Sequence, residues 1–471
     1  MDGMDERTRF PIEAWVPLLA GLLWLWNAPW HGTIGFLFSV VPGCLLLGSG
    51  VSMLLMPGDG RITQFAALGG FAGAVLAIPA LFAVGFFYGL ALIFASLAAA
   101  VAAGAHSVRI EPPVEGVPAA EPSHALSLQV ACDEALLSLV LLTNPLPRAG
   151  DHARIDSELS AARELFAARG WLEKPEAYHQ EPPALVNPEI RAGSSRRIEF
   201  EHLSFDSEFE PHADEPGRDR WLGYGANRRA HAWVLRHGDG PRPWLVCVHG
   251  YRMGVPLYDL AAFPPEYFHE RLGLDMIVPT LPLHGARRVG KRSGDGFVGG
   301  ELLDTVHAEA QAMWDLRRLL GWVRAQGATS IGVLGLSLGG YNAALLASLE
   351  QDLQCVIAGV PLSDFARAMF RHGPPLFLRD AEREGIDQAR SHEVLSVVSP
   401  LVFTPKLPLE RRAIFAGVGD RLVPADQPRD LWRHWGEPRI EWYQGGHVTF
   451  RAHAGVRRFV VDSLRGAGLA V

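Results

Sequence analysis

A long N-terminal stretch of this chain is almost free of charge. Between Arg9 and Arg109 the only Lys or Arg is Arg61, and the only acidic residues are Glu13 and Asp59. A helix that crosses the hydrocarbon core of a bilayer needs about 20 mostly apolar residues, so this stretch can hold several. Because such segments must cross a membrane or be buried on all sides, they constrain the fold before any motif is considered.

The apolar stretch divides into four predicted membrane-spanning helices. Trp15 to Pro29 is a short, tryptophan-rich first candidate, and Ile34 to Met56 is a second of full length. Phe65 to Ala105 is long enough for two helices that join near Pro79 to Gly85. A signal peptide is an alternative for the first segment, but the apolar character continues past any cleavage site, which favours a span. A buried core helix is the alternative for any single segment.

The positive charges predict an orientation for these helices. Arg7 and Arg9 precede the first predicted span, Arg61 lies in the second loop, and Arg109 follows the last span. With four spans these residues lie on one side of the membrane, which the positive-inside tendency makes cytoplasmic. We therefore predict a multi-pass membrane region over residues 1–108, with the larger C-terminal part in the cytoplasm.

Residues 109–195 are predicted to be a proline-rich linker followed by a helical spacer. Four prolines between positions 112 and 122 stiffen the connection. Ala125 to Leu142 and Asp151 to Ala168 have helical patterns, in which we identify no chemistry. From Arg196 the apolar residues alternate as in strands, so the next domain is predicted over residues 196–471. Acidic residues between Asp206 and Asp219 are interpreted as a solvated loop rather than a metal site, because no histidine–carboxylate spacing recurs.

The composition of the whole chain excludes several classes of function. The net charge is −8 and no long basic run occurs, which argues against a nucleic-acid partner. Four cysteines lie far apart in the sequence and fit no disulfide or zinc pattern: Cys44, Cys132, Cys247 and Cys355. The sequence implies no metal and no cofactor.

Short apolar runs alternate with helical patterns in the C-terminal part. The runs cover residues 244–248, 276–283, 331–334, 355–360, 413–418 and 440–443, and the clearest helical pattern extends from Leu303 to Val323. Such alternation predicts a mostly parallel sheet with helices on both faces. Reactive groups on such a sheet collect at the carboxyl ends of its strands.

A serine occupies the most distinctive of these strand ends. The sequence from Gly335 to Gly339 reads Gly-Leu-Ser-Leu-Gly, with an apolar run before it and a helical pattern after it. Glycine on either side of Ser337 leaves room for a tight turn between strand and helix. The amino end of the helix offers unpaired N–H groups that suit a developing oxyanion.

With three other strand ends, this turn makes the chain resemble the α/β-hydrolase superfamily from about Ile198 to the C-terminus. Those strand ends carry His249-Gly250, Asp420 in a Gly-x-x-Asp-x-x-Val-Pro setting, and His447 after two glycines. The resemblance implies an α/β-hydrolase fold behind an all-α transmembrane region. It makes Ser337 the nucleophile, His447 the general base and Asp420 the orienting acid.

The resemblance also implies an oxyanion hole, formed by the backbone N–H groups of Leu338 and Tyr251. Taken alone, Asp420 could instead cap the following helix. Glu441, which lies within the last predicted strand, is a weaker candidate for the acid.

Substrate-binding residues are predicted near these strand ends. His249 and Gly250 are candidates, and so are Arg287 and Arg288, which could bind a phosphate or carboxylate or belong to a solvated loop. An insertion at about 361–408 is expected to form a lid. Its apolar residues suit an acyl chain, although packing on the domain's own surface would explain them equally well.

These features favour a membrane-anchored serine esterase or lipase whose lipid-like ester substrate arrives from the inner leaflet. A serine peptidase is an alternative, because Gly339-Gly340-Tyr341 is similar to the prolyl-oligopeptidase branch. A membrane scaffold or transport component with an inactive hydrolase-like domain is another. The sequence leaves the oligomeric state open.

Overall fold

A computed structural model describes residues 11–26 and 32–470 of the chain. Arg7, Arg9 and Pro29, on which part of the membrane prediction rests, lie outside these residues. The chain packs as two units. The first comprises Met1–Thr143, Ala416–Asp426 and Trp442–Ala454, and the second comprises Asn144–Phe415, Gln427–Glu441 and Gly455–Val471.

The first unit is helical. Its helices are α1 (Trp15–Trp26), α2 (Gly32–Leu55), α3 (Gly60–Ala83), α4 (Phe86–Ile110) and α5 (His124–Thr143). Small residues let α3 and α4 approach closely, because a Cβ atom added to Gly70 would lie 2.8 Å from the Ala100 Cβ atom. Trp24 of α1 donates a hydrogen bond to the Ser96 hydroxyl of α4 at 2.9 Å.

Within the described residues, four helices are long and apolar enough to cross a membrane. They are Gly35–Leu55, Gly60–Ala83, Phe86–Ile110 and His124–Thr143, whereas the apolar helix Ile12–Trp26 is shorter. Three of them coincide with predicted spans. The fourth differs from the prediction: the first predicted segment forms only the short helix, and the long apolar helix α5 is the one that we interpreted as part of a spacer. The cytoplasmic orientation stays a prediction.

The second unit contains most of a nine-stranded sheet, of which only the last residues of two strands belong to the first unit. Its strands are β1 (Glu189–Ser195), β2 (Ile198–Asp206), β3 (Arg229–Leu235), β4 (Trp244–Val248), β5 (Asp275–Pro279), β6 (Ile331–Leu336), β7 (Cys355–Gly359), β8 (Arg412–Gly417) and β9 (Arg439–Tyr443). Every residue of β4, β5, β6 and β7 is buried, as expected of parallel strands covered on both faces.

The order and direction of the strands identify the fold. The order is β1-β2-β3-β5-β4-β6-β7-β8-β9. The pairs β1–β2, β2–β3 and β3–β5 are antiparallel, whereas β4 is parallel to β5 and β6, and β7 is parallel to β6 and β8. After the extra edge strand β1, this is the α/β-hydrolase fold, and the prediction of that fold behind an all-helical apolar region is confirmed.

Two predicted boundaries need correction. The sheet begins at Glu189 rather than at residue 196, because β1 pairs with β2 along its whole length. Strand β1 is largely exposed, so its sequence lacks the apolar alternation that would have revealed it. The predicted spacer at residues 109–195 is not one element either, since α5 belongs to the first unit and α6 (His152–Ala168) to the second.

The helices of the second unit lie before, between and after the strands in the sequence. After α6 they are α7 (Arg218–Leu222), α8 (Pro256–Ala262), α9 (Leu302–Ala325), α10 (Leu338–Leu349), α11 (Phe365–His372), α12 (Pro375–Arg383), α13 (Gln388–Leu395), α14 (Asp426–His434) and α15 (Ala454–Gly466). The predicted insertion at 361–408 contains α11, α12 and α13. Helix α13 packs against α6, α9 and α11, so much of this insertion is held by the body of the domain.

Candidate active site

Ser337 occupies a strained turn between β6 and α10. Its backbone has φ 58° and ψ −116°, a conformation that residues other than glycine rarely adopt. The turn is held because the Ser337 N–H donates to the Gly359 carbonyl at 2.8 Å. The flanking glycines are required: a Cβ atom on Gly335 would lie 2.0 Å from the Gly339 carbonyl oxygen, and one on Gly339 would lie 1.9 Å from the Val248 carbonyl oxygen. The geometry is that of a nucleophile elbow.

The predicted oxyanion donors flank this turn in the same unit. Leu338 is the first residue of α10, so its N–H group has no acceptor within the helix. Gly250 lies close to the serine, since a Cβ atom added to it would be 3.4 Å from the Ser337 Cβ atom. Tyr251 follows Gly250, and its hydroxyl donates to the Asn144 side chain at 2.9 Å. Burial raises the pKa of this phenol to about 12, so the tyrosine stays protonated.

His249 serves the fold rather than the substrate, contrary to the prediction. Its imidazole is fully buried. Its Nε2 atom accepts the N–H of Leu281 at 3.1 Å, and its Nδ1 atom lies 2.8 Å from the Gly250 carbonyl oxygen. These contacts tie the end of β4 to the segment that follows β5. They fix the backbone of Gly250 beside Ser337.

Arg287 is not available to bind an anionic substrate, contrary to the prediction that it could bind a phosphate or carboxylate. Its side chain is 1% exposed and forms a 2.8 Å ion pair with Asp315. It also donates to the carbonyls of Thr280 and Asn227. When several arginines lie close together in sequence, the sequence does not show which side chains are buried and which are exposed. Its neighbour Arg288 is exposed and donates to the carbonyl of Gly285.

The first unit brings Asp420 and His447 together. Asp420 Oδ2 lies 2.6 Å from His447 Nδ1, and both side chains are less than 10% exposed. The other oxygen, Oδ1, accepts the N–H groups of Leu422 at 3.0 Å and Val423 at 2.8 Å, which orients the carboxylate. Asp420 is therefore the acid that contacts the histidine. It is not the cap of α14, which begins only at Asp426.

The environment of His447 determines the charge on its imidazole. Burial alone would lower the pKa of His447, but the carboxylates of Asp420 and Asp133 raise it above its ordinary value of 6.5. A raised pKa means that the protonated imidazole stabilises the folded state. That contribution is present at pH below the unfolded pKa and is lost as the pH rises through the folded pKa.

We expect a titration of selectively labelled histidine by NMR to give His447 a pKa above 6.5, and Asp420→Asn to lower it, because the substitution removes the adjacent negative charge. His453 in the same loop is the matched control. Partial burial lowers its pKa, and its ring contacts Gln129 instead. A His447 pKa that is unchanged in Asp420→Asn would contradict the ion pair.

Asp133 of α5 contacts the loops of Asp420 and His447 and was not identified from the sequence. Its buried carboxylate accepts the backbone N–H groups of His447 at 2.6 Å, Arg421 at 3.2 Å and Val448 at 3.4 Å. A Cβ atom on Gly446 would lie 2.6 Å from Asp133 Oδ2, so glycine is needed for this approach. The interpretation of α5 as part of a spacer did not anticipate these contacts. Two adjacent acids within an otherwise apolar helix were the available signal.

One group of three side chains among residues 11–26 and 32–470 could hold a metal ion, namely His237, His269 and Asp275. Asp275 Oδ1 lies 2.9 Å from His237 Nδ1, and His269 Nδ1 lies 2.7 Å from the Leu274 carbonyl oxygen. Asp275 is the first residue of β5. The group therefore lies at the opposite edge of the parallel strands from Ser337, which follows the carboxyl end of β6.

Two known proteins resemble this chain along most of its length. They are uncharacterized protein MT2702 of Mycobacterium tuberculosis (strain CDC 1551 / Oshkosh) and uncharacterized protein Rv2627c of Mycobacterium tuberculosis (strain ATCC 25618 / H37Rv). Each is 45% identical over 355 residues, which is 75% of this chain and 85% of the relative. The chain belongs to their family. The strand order of its sheet is that of the α/β-hydrolase fold. No family model matches the sequence.

Solved structures with a similar fold include three esterases. Acetyl xylan esterase from Paenibacillus sp. R4 is 15% identical and covers 61% of this chain and 98% of its own, with a TM-score of 0.42. Acetyl xylan esterase 1 from Thermoanaerobacterium sp. JW/SL YS485 is 16% identical over 68% and 95%, with a TM-score of 0.42. Pyrococcus furiosus esterase PF2001 is 15% identical over 61% and 97%, with a TM-score of 0.37.

Proposed function

We propose that this protein is a membrane-anchored serine hydrolase that cleaves an ester through an acyl-enzyme. The buried Asp420–His447 pair carries the proposal. A carboxylate that binds Nδ1 of a histidine fixes the tautomer in which Nε2 can take a proton. The same chain holds Ser337 in an elbow that exposes a serine hydroxyl at the end of a strand.

Chain topology supports the assignment of these residues to one triad. Ser337 follows β6, Asp420 follows β8, and His447 follows β9 of a single sheet. Strands β6, β7 and β8 are parallel, and groups that follow the carboxyl ends of parallel strands lie along the same edge. The order serine, acid, histidine is that of the α/β-hydrolase superfamily.

The proposed reaction has two half-reactions. The Ser337 Oγ atom attacks the ester carbonyl carbon while His447 Nε2 takes the hydroxyl proton, and the N–H groups of Leu338 and Tyr251 stabilise the oxyanion. The carbon–oxygen bond to the leaving alcohol then breaks, and the alcohol takes the proton from His447. Water attacks the acyl-enzyme in the same way, releases the acid and regenerates the serine.

An acyl or lipid-like ester is the proposed substrate class. A membrane anchor is supported by four helices that are long and apolar enough to cross a bilayer. The insertion at 361–408 has both buried and exposed apolar residues. Phe365 is buried, whereas Leu376 on α12 is 65% exposed. An exposed leucine on a helix of such an insertion suits contact with an acyl chain. The charge distribution supports access from the cytoplasmic leaflet.

Active-site labelling of the full-length, detergent-solubilised protein tests this function. We expect a fluorophosphonate probe to label the wild type and the control Ser348→Ala, but not Ser337→Ala. Ser348 suits the control because it lies on the same helix α10 and is buried. Turnover of short-chain and long-chain acyl esters should follow the labelling.

The other outcomes distinguish the alternatives. Folded wild type that neither reacts with the probe nor hydrolyses any ester would refute the proposal and favour a scaffold. Cleavage of acyl-peptide reporters without ester turnover would favour a peptidase.

A further inference from the structure

The loops of the proposed acid and base belong to the helical first unit. The loops Ala416–Asp426 and Trp442–Ala454 belong to the same unit as α1 to α5. Each loop follows a strand of the sheet and also accepts contacts from the helices of the first unit. The contacts converge on α5.

Asp133 joins the two loops through a single carboxylate. Its Oδ2 atom accepts the N–H of Arg421, the residue after the acid, and also the N–H of His447, the base itself. Its Oδ1 atom accepts the N–H of Val448. A buried carboxyl group that accepts several N–H groups holds them in place, because a buried N–H donor left without an acceptor costs about 1–3 kcal/mol.

The next residue connects α5 to the apolar helices. Glu134 Oε1 accepts the hydroxyl groups of Thr63 on α3 at 2.9 Å and of Ser107 on α4 at 2.6 Å. Arg421 completes the connection, since its Nε atom donates to the Ser107 hydroxyl at 2.8 Å. Glu134, Ser107 and Arg421 are all at most 6% exposed. A buried polar cluster thus extends from two apolar helices to the loop of the proposed acid.

We propose that Asp133 is a positioning residue for the proposed base and acid, and that its cluster with Glu134, Ser107 and Arg421 makes the apolar helices part of the catalytic apparatus. This inference rests on the proposed serine hydrolase function. The apolar helices then do more than anchor the enzyme, because the geometry of its base depends on them. A displacement of about 1 Å in a catalytic group can lower the rate about 100-fold.

Two substitutions at this position separate geometry from charge. Asp133→Ala removes every acceptor, so we expect kcat for an acyl ester to fall about 100-fold, with KM changed by less than about twofold. Asp133→Asn keeps a carbonyl acceptor for His447 and Arg421 but removes the charge. We expect it to restore kcat to within about tenfold of the wild type.

The pH profile of Asp133→Asn tests the positioning role, because a purely structural role of Asp133 would leave the pH dependence of kcat/KM unchanged. His447 is faced by the carboxylates of Asp420 and Asp133, and the phenol of Tyr443 donates to the neighbouring Gly446 carbonyl. Removal of one of the two negative charges should lower the pKa of the base. The acid limb of kcat/KM should therefore move to lower pH.

Controls and a second variant keep the test decisive. Cys132→Ser, next to Asp133, should match the wild type in kcat and in the acid limb. Ser107→Ala removes a hydroxyl that Arg421 and Glu134 share, so kcat should fall about tenfold. If Asp133→Ala does not fold, the measurements on Asp133→Asn and Ser107→Ala still test the inference. Wild-type kcat in both of these, with an unmoved acid limb, would overturn the inference. An inactive wild type would instead refute the proposed function.

Discussion

Replacement of His447 by alanine is expected to lower kcat for ester hydrolysis by about 10⁴- to 10⁶-fold, the loss that follows when the base of a serine triad is removed. Without the imidazole, the Ser337 hydroxyl keeps its proton and attacks poorly, and the leaving alcohol receives no proton. The remaining rate would come from the oxyanion donors and from substrate binding. Stopped assays with a chromogenic acyl ester, on full-length protein in detergent, measure the change.

His453→Ala is the matched control for this measurement. His453 follows the same strand and lies in the same unit, but it contacts Gln129 and the ring of Tyr443 rather than Asp420. We expect its kcat to stay within about threefold of the wild type, as for a substitution outside the reacting groups. If His447→Ala kept more than a few per cent of the wild-type rate, another group would have to be the base.

A second large effect is expected on stability rather than on activity. Arg287→Leu should lower the free energy of unfolding by about 3–5 kcal/mol, because the substitution leaves Asp315 buried without its cationic partner. Ser207 still donates to Asp315 at 2.6 Å, but one neutral hydroxyl cannot replace a guanidinium. Chemical denaturation followed by tryptophan fluorescence measures the loss.

A substitution of the neighbouring arginine is the control, and a double variant tests whether the unpaired buried charge causes the loss of stability. Arg288→Leu, at an exposed position, should change the free energy of unfolding by no more than about 0.5 kcal/mol. Arg287→Leu combined with Asp315→Leu should be less destabilised than the single variant, because no buried charge remains unpaired. Equal stability of Arg287→Leu and Arg288→Leu would show that the ion pair contributes nothing.

The parts of the fold that sequence predicted are those in which burial follows a simple pattern. Trp244–Val248 was predicted with its observed bounds, because a strand covered on both faces is apolar throughout. The turn at Ser337 was recognisable because two glycines are required at fixed distances from the serine. The contact between Asp420 and His447 agrees with the order of residues in the superfamily.

The parts that sequence did not predict depend on the direction of a side chain or on contacts between distant segments. Arg287 and Arg288 look alike in sequence, yet one is buried and the other is exposed. Asp133 meets His447 across more than 300 positions, and no local pattern encodes that contact. Helix α5 was predicted as a helix but was interpreted as part of a spacer. The residues that it contacts come from distant parts of the sequence, so the sequence alone did not reveal those contacts.

Strand β1 has a consequence for how copies of this protein behave when they are crowded. It forms one end of the sheet order, so one row of its backbone groups has no neighbouring strand within residues 11–26 and 32–470. A free edge of this kind can recruit a strand from another molecule. Glu189 pairs with Arg191 on β1 and with Arg229 on β3, which places charges along this edge. Charged residues on an edge strand discourage strand addition, so these ion pairs oppose pairing of two copies through β1.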